Sequence, residues 1–258
     1  MASTEQTLYE VSNGAAWIKL NRPEKRNALS AMLITEVYDH IQAANEDDDA
    51  RCIVITGNGP GFCSGADLKD DRGLPQGRAE AVAYPDLLAA IQDNPKPVIA
   101  AINGPAFAGG LGLVGACDIV VTVDSAQFSF SEVRIGVIPA IISVVCLPKL
   151  GTHHGMKLFL TGERFDGNQA VEMGLAHRAV PDGQLEAAVQ EEVDMIRQGG
   201  PIAVIECKKL VREVSRLTRE EGFARTAAWS AEMFASEEAQ EGMAAFREKR
   251  NAVWISDD

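Results

Sequence analysis

The spacing of apolar positions changes several times along the chain, and each change marks an element. Leu8 to Val11 and Ala16 to Leu20 flank Ser12-Asn13-Gly14, which predicts a β-hairpin around a turn. Asn21-Arg22-Pro23 ends it, because proline has no N–H to give to a ladder. Ser30 is placed to cap a helix, and Leu33, Ile34, Val37 and Ile41 follow at helical spacing. The acidic run Glu46 to Asp49 reads as its solvated end. Arg51 to Thr56 is a short apolar strand, followed by a glycine-rich loop from Gly57 to Lys69. Ala79 to Asp93 reads as a helix interrupted at Pro85. Pro97 to Ile102 is a second apolar strand, followed by a second glycine-rich loop from Asn103 to Gly110. A short helix then leads to a third strand, Ile119 to Val123. Continuous apolar strands separated by helices indicate a sheet buried on both faces, the α/β pattern.

After about Ala140 the chain turns mostly helical. Leu175 to Val180 reads as a late strand. Leu185 to Lys249 reads as three or four helices, broken at Gly199-Gly200-Pro201 and around Arg219. No repeat of fixed period and no low-complexity linker interrupts this order. One α/β core with a helical C-terminal segment is the expected organisation.

Composition narrows the function classes. The 258 residues are 46% hydrophobic and 24% charged, which fits a globular domain with a sizeable core. The 24 basic residues are outnumbered by 37 acidic ones, for a net charge of -13, and this argues against a nucleic-acid binder. An anionic small ligand stays open, since a few local cations suffice to hold one. No apolar run reaches the roughly 18 residues that cross a bilayer. Met1 to Glu10 lacks a basic and an apolar leader region, so a cytoplasmic protein is expected. The five cysteines are scattered, odd in number and without a CxxC pair, and read as reduced, mostly buried thiols.

Two loops share a position in the pattern. Gly61 to Lys69 reads G-F-C-S-G-A-D-L-K, and Asn103 to Gly112 reads N-G-P-A-F-A-G-G-L-G. Each follows a buried strand and precedes a helix. The N–H groups at a helix start have no partner within the helix and carry the positive end of its dipole. Two such groups converging would hold an oxyanion; otherwise both are ordinary strand-to-helix turns. Gly110 to Gly115 also spells G-x-G-x-x-G. Seven residues separate it from the preceding strand and the helix after it is short, so dinucleotide binding is set aside. Glu132 lies in a largely apolar stretch, Ala126 to Pro139, and reads either as a paired surface residue or as a buried base. His40, His153, His154 and His177 read as structural or surface residues.

Taken together, these segments resemble the enoyl-CoA hydratase/isomerase (crotonase) superfamily. The resemblance also rests on N-R-P-E-K-R-N-A-L (Asn21 to Leu29), E-V-R-I-G-V-I-P (Glu132 to Pro139), L-T-G-E-R-F (Leu160 to Phe165) and E-G-M-A-A-F-R-E-K-R (Glu241 to Arg250). It implies an α/β spiral of ββα turns over residues 1–195 and a helical oligomerisation region over 196–258, assembled as a homotrimer or as a hexamer of paired trimers. It implies that the N–H groups of Ala66 and Gly109 form an oxyanion hole for a thioester carbonyl, with Glu132 as the catalytic carboxylate. Lys25, Arg26, Lys69 and Lys249 would sit near the phosphates of coenzyme A. Ala28, Ser64, Asp67 and Leu68 would line the adenine and pantetheine path. No metal and no redox cofactor is expected, coenzyme A being part of the substrate.

Two departures from the family pattern bear on the reaction. Two-carboxylate hydratases carry a second glutamate where this chain has Gly112. The stretch Pro139-Ala140-Ile141-Ile142-Ser143 replaces a small, glycine-rich one, so Ile141 and Ile142 should reshape the acyl pocket. The variant is similar to members that act on branched, methylglutaconyl-type acyl-CoAs. A single-glutamate hydratase is the leading expectation. A Δ3,Δ2-enoyl-CoA isomerase using Glu132 alone is the alternative, and a non-catalytic acyl-CoA binder is the reading from another class. A dienoyl isomerase would need a carboxylate where Ala140 stands.

Overall fold

The computed structural model describes residues 5–69 and 80–255. Strands β1 (Thr7–Ser12) and β2 (Ala15–Leu20) form the expected hairpin and pair in antiparallel register, Thr7 opposite Leu20. Helix α1 (Ala31–Glu46) starts where Ser30 accepts a hydrogen bond from the Leu33 N–H. β3 (Cys52–Gly57), α2 (Tyr84–Gln92), β4 (Val98–Ile102), β5 (Ala106–Phe107), α3 (Gly109–Ala116), β6 (Ile119–Val123) and β7 (Gln127–Ser129) follow. Then come α4 (Ala140–Thr161), β8 (Phe165–Asp166), α5 (Gly167–Glu172) and β9 (Arg178–Val180). Helices α6 (Leu185–Gln198), α7 (Pro201–Val214), α8 (Arg219–Ala235) and α9 (Glu237–Glu248) complete the chain.

The main sheet has the order β1-β2-β3-β4-β6-β9, and every pairing after the hairpin is parallel. Its central strands β3, β4 and β6 are largely apolar because both faces are covered, and alternation sorts their side chains. Ile53, Ile55, Val98, Ala100, Ile102 and Val120 face a core shared with α1, α2 and α3. Cys52, Val54, Ile99, Ala101 and Val121 face Ala188, Val189 and Val193 of α6. The division expected at residue 195 therefore falls inside a helix that packs on the sheet, and the chain breaks instead at Gly199-Gly200.

A second sheet, β5-β7-β8, stands beside the first. Phe107 pairs with Ser129 in parallel, and Phe128 pairs with Phe165 in antiparallel register. Phe128 and Phe165 stack at 5.3 Å, with Phe130 packed on Phe159 at 4.6 Å, so short strands are held by their aromatic side chains.

Three sequence expectations need correction. Pro85 lies in the first turn of α2 and opens the helix rather than interrupting it, since its missing N–H is one that no helix start would use; Ala79, the expected start, lies outside the described residues. The segment read as one loop from Asn103 to Gly110 contains β5. Of Leu175 to Val180 only Arg178 to Val180 is strand, because the N–H groups of Leu175 and Ala176 both turn back to Ala170 O. Among the described residues, no helix is long and apolar enough to cross a membrane.

Candidate active site

The first glycine-rich loop is pinned by two polar side chains from the segment before α1. Asn27 donates from Nδ2 to Asn58 O and Gly61 O, and its Oδ1 accepts from the Arg22 N–H at 2.8 Å. Arg22, only 2% exposed, reaches Ala28 O with Nη1 and the Asp67 carboxylate with Nη2 at 2.7 Å. That guanidinium holds the Asp67 carboxyl below the usual range, helped by the Lys69 N–H. Lys25 ends a short 3-10 turn that Arg26 caps, and the Ser64 N–H donates to Arg26 O at 3.0 Å. Lys25, Arg26, Ser64, Leu68 and Lys69 thus share one rim, with Leu68 82% exposed and all three cations at the surface.

The same bridging sets the direction of the Ala66 amide. Leu29 N donates to Gly65 O and Asp67 N donates to Leu29 O, a parallel bridge between Leu29 and Ala66. A bridge of this kind uses the Gly65 C=O and the Asp67 N–H, on either side of Ala66, and leaves Ala66's own N–H pointing away from it. The two glycine-rich loops are then laced together by Phe107 N to Cys63 O at 2.9 Å. Gly65 has φ +91°, and a Cβ there would lie 3.0 Å from Phe107 O and 3.2 Å from Gly109 N, so glycine permits the approach.

Gly109 is the first residue of α3, and its N–H has no partner within the helix. A Cβ at Gly109 would lie 3.6 Å from Ala66 N, so the two amides are neighbours. Ala108, which precedes it, has φ +48° and ψ −123°, a conformation costly to a residue with a Cβ. Its N–H donates to Ser129 O at 3.0 Å. Two neighbouring N–H groups, one of them at the head of a helix, can stabilise a partial negative charge on an oxygen.

Glu132 sits on a 3-10 turn, Ser131–Ile135, directly after β7. It is half-buried, and its Oε2 is buried without a protein hydrogen-bond partner. Burial pushes its carboxyl above the ordinary glutamate value. A carboxylate so placed is suited to taking and returning a proton. The bland alternative, a paired surface residue, does not describe it.

Position 112 is occupied from outside. A Cβ at Gly112 would lie 2.6 Å from Ile142 Cγ2, and closer still to the hydroxyl of Tyr84. Ile142 is 3% exposed and packs inward, whereas Ile141 on the next face of α4 is 47% exposed. Tyr84, which nothing in the sequence pattern singled out, donates its hydroxyl to Gly109 O. Burial raises its phenol well above the ordinary value, and the thiols of Cys63 and Cys146 and the Glu132 carboxylate act the same way. Arg22 and Asn27 were likewise not assigned a bracing role from sequence; a buried arginine and a left-handed asparagine (φ 55°) are visible only once the chain is folded.

Lys249 caps the C-terminal end of α9 in the left-handed region, exposed. Among the described residues no hydrogen bond or ion pair joins it to the two loops. Four cysteines are buried, with thiols pushed up to about 12, and Cys207 is exposed. His177 Nδ1 accepts from the Val120 N–H, and His40 stacks on Tyr9.

A parallel sheet wound into turns, a small second sheet whose strands lead into Gly109 and Glu132, and a helical C-terminal region together make the crotonase fold. The chain superposes on AtuE of Pseudomonas aeruginosa with a TM-score of 0.89 at 32% identity, covering 98% of this chain and 100% of that one. It is 35% identical to the enoyl-CoA hydratase EchA19 of Mycobacterium tuberculosis over 239 residues, 90% of each chain. It is 34% identical to the carnitinyl-CoA dehydratase of Proteus mirabilis over 258 residues, 96% of this chain and 98% of that one. The family model described as enoyl-CoA hydratase/isomerase matches residues 10–257, and the chain belongs to that family.

Proposed function

We propose that this protein is an enoyl-CoA hydratase, adding water across the 2,3-double bond of an acyl-CoA thioester or removing it. The thioester carbonyl sits between the N–H groups of Ala66 and Gly109. As the β-carbon is attacked, the carbonyl becomes enolate-like, and both donors bind that oxygen more tightly than the ground-state carbonyl. One such donor is worth roughly 3 kcal/mol of barrier. Glu132 takes the proton from the attacking water, and the same carboxyl returns a proton at the α-carbon. A single group can serve both steps when it reaches both carbons.

The observation that carries this reading is the buried, unpartnered Oε2 of Glu132, on the turn that follows β7, whose paired strand β5 leads into Gly109. The names of the relatives point the same way, since hydratase and dehydratase both move water on a CoA thioester. Lys25, Arg26, Lys69 and Lys249 hold the phosphates of coenzyme A. Ala28, Ser64, Leu68 and the backbone at Asp67 line the path inward, and Gly112 and Ile141 border the acyl group. The chemistry calls for no cofactor beyond the substrate's own coenzyme A. Three copies, or two sets of three, are the proposed assembly.

A second reading has one observation in its favour. Tyr84 and Ile142 fill the space over Gly112, so no second carboxylate faces Glu132 there. A Δ3,Δ2-isomerase needs only one base. Mass spectrometry of purified protein with 2-enoyl-CoA and 3-enoyl-CoA panels separates the two. A gain of one water on 2-enoyl substrates is the expected result. Unchanged mass with a migrated double bond replaces hydratase by isomerase, and no turnover of either panel leaves an acyl-CoA binder.

A further inference from the structure

The peptide unit that carries the Gly109 N–H is clamped on both sides. Upstream, the Ala108 N–H is tied to Ser129 O on β7 at 3.0 Å. Downstream, Gly109 O accepts the hydroxyl of Tyr84. Between these two bonds lies the single peptide linking Ala108 to Gly109. It needs such holding. Ala108 is in a strained conformation, and Gly109, Gly110 and Gly112 give the first turn of α3 little stiffness of its own.

The clamp stands where two-carboxylate hydratases have their second acid/base group. A Cβ at Gly112 would meet Tyr84 Cζ at 3.2 Å and Ile142 Cγ2 at 2.6 Å, so no side chain fits while Tyr84 keeps its place. We propose that Tyr84 is a positioning residue, whose hydroxyl holds Gly109 O and thereby aims the Gly109 N–H at the substrate carbonyl, in space that would otherwise belong to a second carboxylate. The proposal rests on the hydratase reading and deepens it. Because the phenol stays protonated, it serves as a fixed donor and not as a second base. The single-glutamate chemistry then depends on a well-aimed oxyanion donor in place of a second proton carrier.

The test is Tyr84→Phe in the full chain, which keeps the ring and removes only the hydroxyl. Expected is a fall in kcat of about 10- to 100-fold with KM little changed, part of what loss of a whole oxyanion donor costs. The second readout needs binding alone: the red shift in ultraviolet absorption of a bound 2,4-dienoyl-CoA, which reports polarisation of its carbonyl. That shift shrinks in the variant. A purely structural tyrosine would lower the melting temperature and leave the shift and kcat per folded molecule intact, and that result overturns the proposal.

If Tyr84→Phe does not fold, Tyr84→Leu with Ile142→Ala is compared with the same pair combined with Gly112→Ser, since the Ile142 Cγ2 would otherwise lie 2.6 Å from the new Cβ. A serine there can back-bond to a carbonyl three or four residues earlier, which includes Gly109 O. Recovery of the red shift on adding Gly112→Ser supports the clamp, and no recovery sinks it. Should the wild type leave 2-enoyl-CoA unhydrated, the hydratase reading falls, while the absorption shift still decides the role of Tyr84.

Discussion

The guanidinium of Arg22 and the carboxylate of Asp67 meet at 2.7 Å, across 45 residues of sequence, with the arginine almost wholly buried. The other arm of the same guanidinium holds Ala28 O. One cation thus steadies both sides of the bridge between Leu29 and Ala66, and with it the direction of the Ala66 amide. Arg22→Met removes both arms, leaving Asp67 Oδ2 without its cation and Ala28 O without its donor. The expected loss is roughly 3 kcal/mol of stability, read as a lower urea midpoint, together with a lower kcat in the protein that remains folded. A midpoint and kcat equal to wild type would show the brace to be idle.

Glu132→Gln keeps the shape of the side chain and removes its basicity. Turnover should fall by about 10²–10⁴-fold, the usual worth of a positioned acid/base group. Binding of a saturated acyl-CoA, measured by calorimetry, should persist. Unchanged turnover would remove Glu132 from the mechanism under both the hydratase and the isomerase readings.

The same carboxyl sets a pH dependence whose sign follows from burial. Its folded value is raised above the ordinary 4.5 by desolvation. It therefore favours the folded state at low pH, and that contribution is lost as pH rises through the folded value. Wild type should lose stability relative to Glu132→Gln as pH rises from about 4.5 through the raised folded value, and the gap should then level off. Because the base works ionised, the acid limb of kcat/KM should lie above that of an ordinary glutamate. Urea midpoints at a series of pH values and a pH–rate profile measure the two effects; an acid limb at or below the ordinary value contradicts the burial argument.

Ala108 offers a test through strain. At φ +48° and ψ −123° its Cβ costs about 1–3 kcal/mol. Glycine relieves that and adds about 0.5–1 kcal/mol of unfolded-state entropy. Ala108→Gly should therefore raise the denaturation midpoint by the equivalent of about 1 kcal/mol. A lower midpoint would mean that the Ala108 methyl contributes more by packing on Gly65 than it costs in conformation.

Much of the main sheet was legible because its physics is periodic. The Ser30 cap, the stripe from Leu33 to Ile41, β6 and the breaks at Gly199-Gly200-Pro201 all rest on spacing or on single-residue backbone preferences. The strands β5, β7 and β8 are two or three residues long, too short to show a period, and exist through Phe128, Phe130 and Phe165 packing across the chain. At the site, the likeness of the two glycine-rich motifs and of the Glu132 to Pro139 segment to the family's pointed to Ala66, Gly109 and Glu132, where glycine content and an isolated carboxylate alone had left ordinary turns and a surface residue open. Tyr84 was illegible because its importance lies in where α2 lands relative to α3. Arg22 and Asn27 sat inside a quoted motif, yet their side chains work on backbone carbonyls, which leave no trace in sequence.

The rung that joins Phe107 to Ser129 has a consequence for how such a protein can change. Gly109 follows one end of that rung and Glu132 the other, so the proposed donor and the proposed base are carried as one tool on a shared handle. Ile141 and the outer face of α4 belong to a different part of the chain, open to solvent. Residues there can be exchanged to admit a longer, branched or more polar acyl group without disturbing the spacing between donor and base. The architecture therefore lets new substrates be tried while the reaction itself is inherited intact.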